Sequence, residues 1–299
     1  MANDRTLLAT IGNTPLIELQ RSSPNPAVKI WAKMELTNPT GSLKDRIAFY
    51  MIEAAEKRGE LEPGMIIVEA TSGNTGISLG MVAAVKGYRL KLFMLENKTI
   101  ERQKMLRYWG ADLVLTTKDD PDSHIFGAQE LIAADPESYF YINQNENDDN
   151  IAAHSQGTGA EILHDLDGDV TAFVAGFGTG GTLMGVAHHC REQGVSCRIV
   201  AVEPGGEPRA KIDGLKHSSE AYQPLIYDRT LIDQTVEVPE DDAYGTTREI
   251  AQKEGVIAGL SSGASLWAAQ QLAKTLDSGN IVVIFGDRGE RYFSTRLFD

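Results

Sequence analysis

The sequence predicts an α/β protein of open, twisted, mainly parallel sheets flanked by helices, and three observations carry that prediction. Short β-branched runs alternate with helical stretches along most of the chain, a pattern that produces parallel sheets with helices on both faces. The 299 residues are 42% hydrophobic and 23% charged, enough apolar material for one large α/β unit or two domains. A polar run, Asn143 to Asn150, cannot contribute to a core and divides the chain nearly in half as a connection.

Taken in order, Met65–Glu69 reads as a strand and Thr75–Lys86 as the helix that follows it. Leu90–Met94 is the next strand, then a charged helix near 100–108 and a strand at 112–116. A helix around 125–133 leads into a strand at 139–142. Beyond the polar run come strand 171–175, helix 182–193 and strand 198–202. Helices 243–254 and 262–273 and strand 280–285 complete the series. Residues 204–227 hold two consecutive glycines and little periodicity, so they read as irregular.

Charge and cysteine content narrow the function. With 42 acidic and 28 basic residues the net charge is −14, a field that repels nucleic acid and anionic membrane surfaces. Two cysteines, Cys190 and Cys197, are too few for a disulfide framework and point to a reducing compartment. His188-His189-Cys190 has no partner cluster elsewhere and reads as a helix face, so no metal is expected. No stretch approaches the roughly 18 apolar residues of a membrane span. Residues 1–10 lack the apolar region of a signal peptide, and a cytoplasmic protein is expected.

The most informative residue is Lys44, within Asn38-Pro-Thr-Gly-Ser-Leu-Lys44-Asp-Arg46. Pro39 and Gly41 make a loop, Ser42 is placed to cap, and a helix follows from Leu43 to about Arg58. The amine then sits in the first helical turn, where the positive end of the macrodipole disfavours its ammonium form. A lysine that attacks a carbonyl to form a Schiff base needs that neutral amine.

Three loops gather at strand ends, where open α/β sheets bind ligands. Thr71-Ser72-Gly73-Asn74-Thr75-Gly76 opens a helix with hydroxyls, amides and exposed N–H groups, a cradle suited to a carboxylate. Gly176-Phe-Gly178-Thr179-Gly180-Gly181-Thr182 brings backbone N–H groups onto a phosphate at a helix start. The same glycines fit a G-x-G-x-x-G fingerprint, with Glu203 about 20 residues on as a ribose acid, so an NAD-type oxidoreductase is a rival. Gly259-Leu-Ser261-Ser262-Gly-Ala264 opens a third helix; a cap uses one serine and leaves the other for a ligand. A carboxylate cradle, a phosphate cradle and a Schiff-base lysine suit pyridoxal 5'-phosphate, an aldehyde carrying a phosphate, better than a dinucleotide.

These blocks, in this order, resemble the cysteine synthase (O-acetylserine sulfhydrylase) family, of the fold type II shared with tryptophan synthase β and cystathionine β-synthase. The resemblance runs from Ile11-Gly-Asn-Thr-Pro-Leu16 to Gly289-Glu-Arg-Tyr-Phe-Ser-Thr295. It implies a smaller mobile substrate-binding domain at about 36–142 and a larger cofactor-binding domain from about 1–35 plus 143–299. Lys44 would hold pyridoxal phosphate and move protons, and Asn74 would meet the ring hydroxyl. Gly178, Thr179, Gly180, Gly181 and Thr182 would hold the phosphate, and Ser261 would face the pyridine nitrogen. Thr71, Ser72, Thr75 and Gln144 would take the substrate carboxylate.

The implied reaction is β-replacement. An amino acid with a β-leaving group loses its α-proton to Lys44 and then acetate, and sulfide or another sulfur nucleophile adds to the resulting aminoacrylate. A serine at the ring nitrogen, in place of an aspartate, leaves the ring a weaker electron sink, which suits elimination. Gly286-Asp-Arg-Gly289 and the short length resemble the thiosulfate-using B-type isozyme, which forms S-sulfocysteine, whereas Gly178–Thr182 resembles the A type. The sulfur donor and the leaving group (acetyl, phosphate, or the hydroxyl of serine as in cystathionine β-synthase) therefore stay open. Arg209, Lys211 and Lys216 are either contacts for an anionic co-substrate or solvated loop charges. The resemblance also implies a homodimer; a complex with serine acetyltransferase is less expected of B-type chains. A non-catalytic scaffold of the same fold has no use for the lysine.

Overall fold

A computed structural model describes residues 6–71, 73–206, 209–220 and 222–299. In chain order its elements are strands β1 (Leu16–Glu18) and β2 (Val28–Lys33), helix α1 (Lys44–Arg58), β3 (Ile66–Ala70), α2 (Asn74–Lys86), β4 (Arg89–Leu95) and α3 (Ile100–Tyr108). Next come β5 (Asp112–Thr116), α4 (Ser123–Ala134), β6 (Tyr139–Tyr141), α5 (Asp149–Ala153), a π-helical stretch (His154–Gly159) and α6 (Ala160–Asp165). The remainder holds β7 (Ala172–Gly176), α7 (Gly181–Glu192), β8 (Arg198–Pro204), β9 (Gln234–Val238), α8 (Glu240–Glu249), α9 (Leu260–Ala273) and β10 (Gly279–Ile284).

Two sheets organise these elements. One has four parallel strands in the order β5-β4-β3-β6. The other has six, β1-β2-β10-β7-β8-β9, parallel except for the β1–β2 pair. The central strands β7, β8 and β10 are buried over nearly their whole length, as strands covered by helices on both faces must be. Helix α1 packs with α2 on the four-stranded sheet through Ile47, Met51, Ile52, Ile77 and Leu79. It stops at Gly59, which takes the left-handed conformation (φ 72°) that only glycine adopts without strain.

Each sheet has one point where strand order reverses. The chain leaves β3 for β4 on one side while β6 returns on the other. It leaves β7 for β8 on one side while β10 returns on the other. Crevices form beyond the carboxyl ends of strands at such points. Both sheets therefore offer a natural binding position, and two of the three loops singled out in the sequence, 71–76 after β3 and 176–182 after β7, sit at these two. The third, 259–264, follows a helical turn and opens α9.

Most predicted strands and helices form within a residue or two of their expected ends. The differences have physical causes. Strand β2 is not anticipated because Lys29 and Lys33 interrupt its apolar run. Lys33 is nevertheless fully buried, held by Glu161 at 2.8 Å and Asp165 at 3.5 Å. Strand β9 is a polar edge strand and β1 has three residues, so neither shows a core pattern. The run 143–150 is more than a connection: Gln144, Asn145 and Asn150 are buried, and α5 begins at Asp149. The helix expected at 243–254 starts at Glu240 and finishes as a π-helical turn, Ile250–Glu254. Among the described residues no helix is long and apolar enough to cross a membrane.

Candidate active site

Lys44 is the first residue of α1, as the loop-to-helix pattern predicts, and its two neighbours fix its position. Asp45 is fully buried; it accepts from the Thr40 N–H at 2.7 Å, from Ser78 Oγ at 2.5 Å and from the Thr40 hydroxyl. Arg46 forms ion pairs with Glu35 at 2.8 Å and Glu161 at 2.6 Å. Burial alone would raise the Glu161 carboxyl, but Arg46 and Lys33 outweigh it and bring it down to about 2. Ser42 does not cap the helix in the expected way: its Oγ lies 3.4 Å from the Lys44 N–H, and the helix has no side-chain cap.

Lys44 lines two adjoining cavities, of about 70 Å³ and 320 Å³, which also share Asn74, Gly178 and Thr179. Burial lowers its pKa to about 8, with the charges of Asp287 and Glu69 acting in opposition. A large fraction of the amine is therefore neutral near pH 8, and the helix start predicts that direction. A further cavity of about 340 Å³ lies at the opposite ends of the strands, near Tyr88, Leu90 and Trp109, and holds none of these groups.

The two switch points supply the walls. After β3, Thr71 and Thr75 are buried beside Gln144, which follows β6. Thr75 Oγ1 donates to Gln144 Oε1 at 2.7 Å, and Thr71 Oγ1 accepts the Gly73 N–H at 3.1 Å. Ser72 lies outside the described residues. Under this group sits Glu69, fully buried, which accepts from the Gln144 N–H at 3.3 Å and from Gln144 Nε2 at 3.4 Å. Burial pushes its carboxyl up to about 8 against the hydrogen bonds from Gln144.

After β7, Gly178–Thr182 leads into α7, whose first residue is Gly181. Gly180 has φ 87°, a left-handed value. A Cβ at Gly178 would stand 2.8 Å from the Gly214 carbonyl oxygen, so the chain approaches there only as glycine. Thr179 and Thr182 line the smaller cavity, and α7 begins there with its N-terminal N–H groups. Of the two serines in the third loop, Ser262 Oγ accepts the Gly286 N–H at 3.1 Å, while Ser261 lines the cavity.

After β10 comes a part of the site that the sequence reading does not assign. Asn74 Nδ2 donates to Asp287 Oδ2 at 2.7 Å, and Asn74 Oδ1 accepts from Arg291 Nη1. Tyr292 donates its hydroxyl to Asp287 Oδ2 at 2.9 Å. Arg102, from α3, pairs with Asp213 at 2.8 Å and lies over the Tyr292 ring. Asp287 falls in the Gly286-Asp-Arg-Gly289 run, and Arg291 and Tyr292 fall in the closing motif, so a signal for them exists. Glu69 and Arg102 carry none.

Pyridoxal phosphate fits these residues. Asp287 Oδ1, in the smaller cavity wall, is buried and has no hydrogen-bond partner among the described residues. An amine near its neutral point, an N–H-rich helix start with two hydroxyls, and an amide beside it match an aldehyde, a phosphate and a ring hydroxyl. A dinucleotide fits less well: Glu203 is buried at the end of β8, its Oε2 spent on the Ser218 N–H at 2.8 Å. Of the loop cations, Lys216 lines the larger cavity with Lys98 and His124, whereas Arg209 and Lys211 are exposed outside it. Burial, then the charges of Lys98 and Lys216, lower His124 to about 4. His188, His189 and Cys190 lie in the last turns of α7, with Cys190 in the core.

Comparison with known proteins supports the same cofactor. Residues 7–287 match the family model described as "Pyridoxal-phosphate dependent enzyme". The chain is 43% identical to cysteine synthase B of Salmonella typhimurium over 98% of its own length and 96% of that protein. Among solved structures it is similar to O-ureido-L-serine synthase, with TM-score 0.92 and 38% identity over 99% of this chain and 95% of that one. It is also similar to the cysteine synthase of Entamoeba histolytica, with TM-score 0.91 and 36% identity over 98% and 90% of the two chains.

Proposed function

The chain belongs to the cysteine synthase family of pyridoxal-phosphate dependent enzymes, and from that membership we propose that it replaces the acetoxy group of O-acetyl-L-serine by sulfide, giving L-cysteine and acetate. The observation that carries the proposal is the position of Lys44. With its amine lowered to about 8, it lines one cavity with Gly178, Thr179, Gly180 and Thr182 and the adjoining one with Thr75 and Gln144, which we read as the phosphate and carboxylate cradles.

Bound there, pyridoxal phosphate supplies an aldehyde that condenses with amines and a ring that draws electrons from the substrate's Cα. The phosphate would be held by Gly178, Thr179, Gly180, Gly181 and Thr182, and the ring by Asn74 and Ser261. Ser261 is neutral, so if it faces the ring nitrogen it would give that nitrogen no charged partner, which favours elimination. Thr71, Ser72, Thr75 and Gln144 would hold the substrate carboxylate and so orient the Cα–H toward Lys44. Lys44 Nζ takes that proton as general base, the acetoxy group leaves from Cβ, and sulfide bonds to Cβ. Lys44 then returns a proton to Cα. The four-stranded half, about 36–142, would close on the other to exclude water during these steps.

A second reading of the co-substrate rests on Lys98 and Lys216, which line the larger cavity together with Asp122 and Glu220. Two cations there suit an anionic reactant, either thiosulfate as donor or phosphate as leaving group. The proposal also includes a homodimer, which light scattering tests directly.

The deciding experiment is a visible-spectrum titration of the purified protein. A yellow preparation is expected, its band abolished by borohydride with the label on Lys44. O-acetylserine, O-phosphoserine and serine are compared for spectral change, and then sulfide and thiosulfate for its reversal. A colourless protein that binds NAD, or equal turnover by Lys44→Ala, would sink the proposal.

A further inference from the structure

Asn150 is fully buried in α5, and its amide serves two loops at once. Nδ2 donates to the Gln144 carbonyl oxygen at 2.8 Å and to Thr179 Oγ1 at 3.2 Å. The first partner belongs to the carboxylate cradle after β6, the second to the phosphate cradle after β7. One side chain therefore joins the two switch points.

The hydrogen-bond inventory of Thr179 gives this link a consequence. A hydroxyl has two acceptor positions and one donor proton. Thr179 Oγ1 accepts from Asn150 Nδ2 and, at 3.4 Å, from the Gly181 N–H. With both acceptor positions engaged, its remaining capacity is to donate, and Thr179 lines the cavity beside Lys44. Asn150 cannot serve with its amide turned over, because Oδ1 would then oppose the Gln144 carbonyl oxygen. Keeping both donors in place leaves Asn150 Oδ1 buried without a partner among the described residues. Gly181 has no Cβ where one would run into this amide. One turn further on, His154 Nε2 lies 3.2 Å from Thr182 Oγ1, a second side-chain contact between this segment and the loop.

We infer that Asn150 is a positioning residue that locks the Gln144 carboxylate grip to the phosphate loop and sets the Thr179 hydroxyl as a donor toward the phosphate. It touches neither ligand, yet both cradles depend on it. The inference rests on the reading that Gly178–Thr182 holds the cofactor's phosphate.

Titration of the apoprotein with pyridoxal phosphate by fluorescence, together with steady-state kinetics of the holoenzyme, tests it. Asn150→Ala is expected to weaken cofactor binding and raise the KM for O-acetyl-L-serine, each about tenfold, with kcat changed less than about threefold. In a Thr179→Ala background the same change should weaken cofactor binding no further, which a general packing role would not produce. Asn150→Asp keeps the volume but faces the Gln144 oxygen with a carboxylate; it is expected to move both constants the same way even if Asn150→Ala does not fold. Cofactor affinity within about twofold of the parent in both Asn150 variants, or a full added loss on top of Thr179→Ala, overturns the inference. Failure of the parent itself to take up pyridoxal phosphate overturns the underlying functional reading, and this inference with it.

Discussion

Asn74 Nδ2 donates to Asp287 Oδ2 at 2.7 Å, and this bond spans the cleft from the start of α2 to the segment after β10. Arg291 completes the clamp, with one guanidinium nitrogen on Asn74 Oδ1 and the other on the Thr40 carbonyl. The amide can thus take only one orientation. Arg291→Lys keeps the charge but not the fork, so it cannot hold both partners. We expect kcat/KM for O-acetyl-L-serine to fall about tenfold or more, with the visible band displaced, as removal of a charged hydrogen bond implies. Unchanged kinetics and spectrum would mean that Asn74 is oriented without Arg291.

The sequence made one half of this site plain and left the other half dark. Lys44, Asn74, Thr71, Thr75, Gly178–Thr182 and Ser261 occupy loops whose composition departs from ordinary capping, and that departure is local and readable. Gln144 emerges through resemblance alone, inside a run that looks solvated. Asn150 is the harder case: it sits among Asn and Asp residues, and only the return of β6 beside β3 shows that it is buried. Lys33 and Arg46 are hidden for a related reason. A lysine or arginine reads as surface until its carboxylates arrive, and Glu161 is more than 100 residues distant. Long-range pairing determines these positions, and local pattern does not carry it.

Gly180 offers a direct test of the phosphate loop. Its φ of 87° penalises any side chain, and a Cβ would meet the Tyr227 ring at 2.8 Å. The left-handed conformation alone costs about 1–2 kcal/mol for alanine. Gly180→Ala should therefore lower the apoprotein's thermal midpoint by several degrees and reduce cofactor occupancy after purification. Calorimetry and the ratio of visible to ultraviolet absorbance read the two effects. Full occupancy with an unchanged midpoint would remove Gly180 from the loop's essential geometry.

Acid stability should depend on Glu161. Its carboxyl is lowered from 4.5 to about 2 in the folded chain, against burial, by Arg46 and Lys33. A lowered carboxylate stabilises fully above its unfolded pKa and loses that contribution as pH falls toward the folded value. The affected window is thus pH 4.5 down to 2, and the amount is on the order of 3 kcal/mol. Urea unfolding of the parent and Glu161→Gln should differ most near pH 6 and converge as pH approaches 2. A difference independent of pH would assign the loss to packing instead.

Lys44 itself yields the sharpest titration. Burial lowers its amine to about 8, while Asp287 and Glu69 pull the other way. In the folded apoprotein the protonated form is therefore favoured below about 8 and the neutral, reactive form above it. Acetylation of Lys44 by acetic anhydride, followed by mass spectrometry, should rise with a midpoint near 8, where an exposed lysine rises near 10.4. Asp287→Asn removes the larger opposing charge, so the midpoint should move lower still. Movement upward in that variant, or a parent midpoint near the exposed value, would show that desolvation does not govern this amine. The proton transfer at Cα assigned to Lys44 would then need another source for its neutral base.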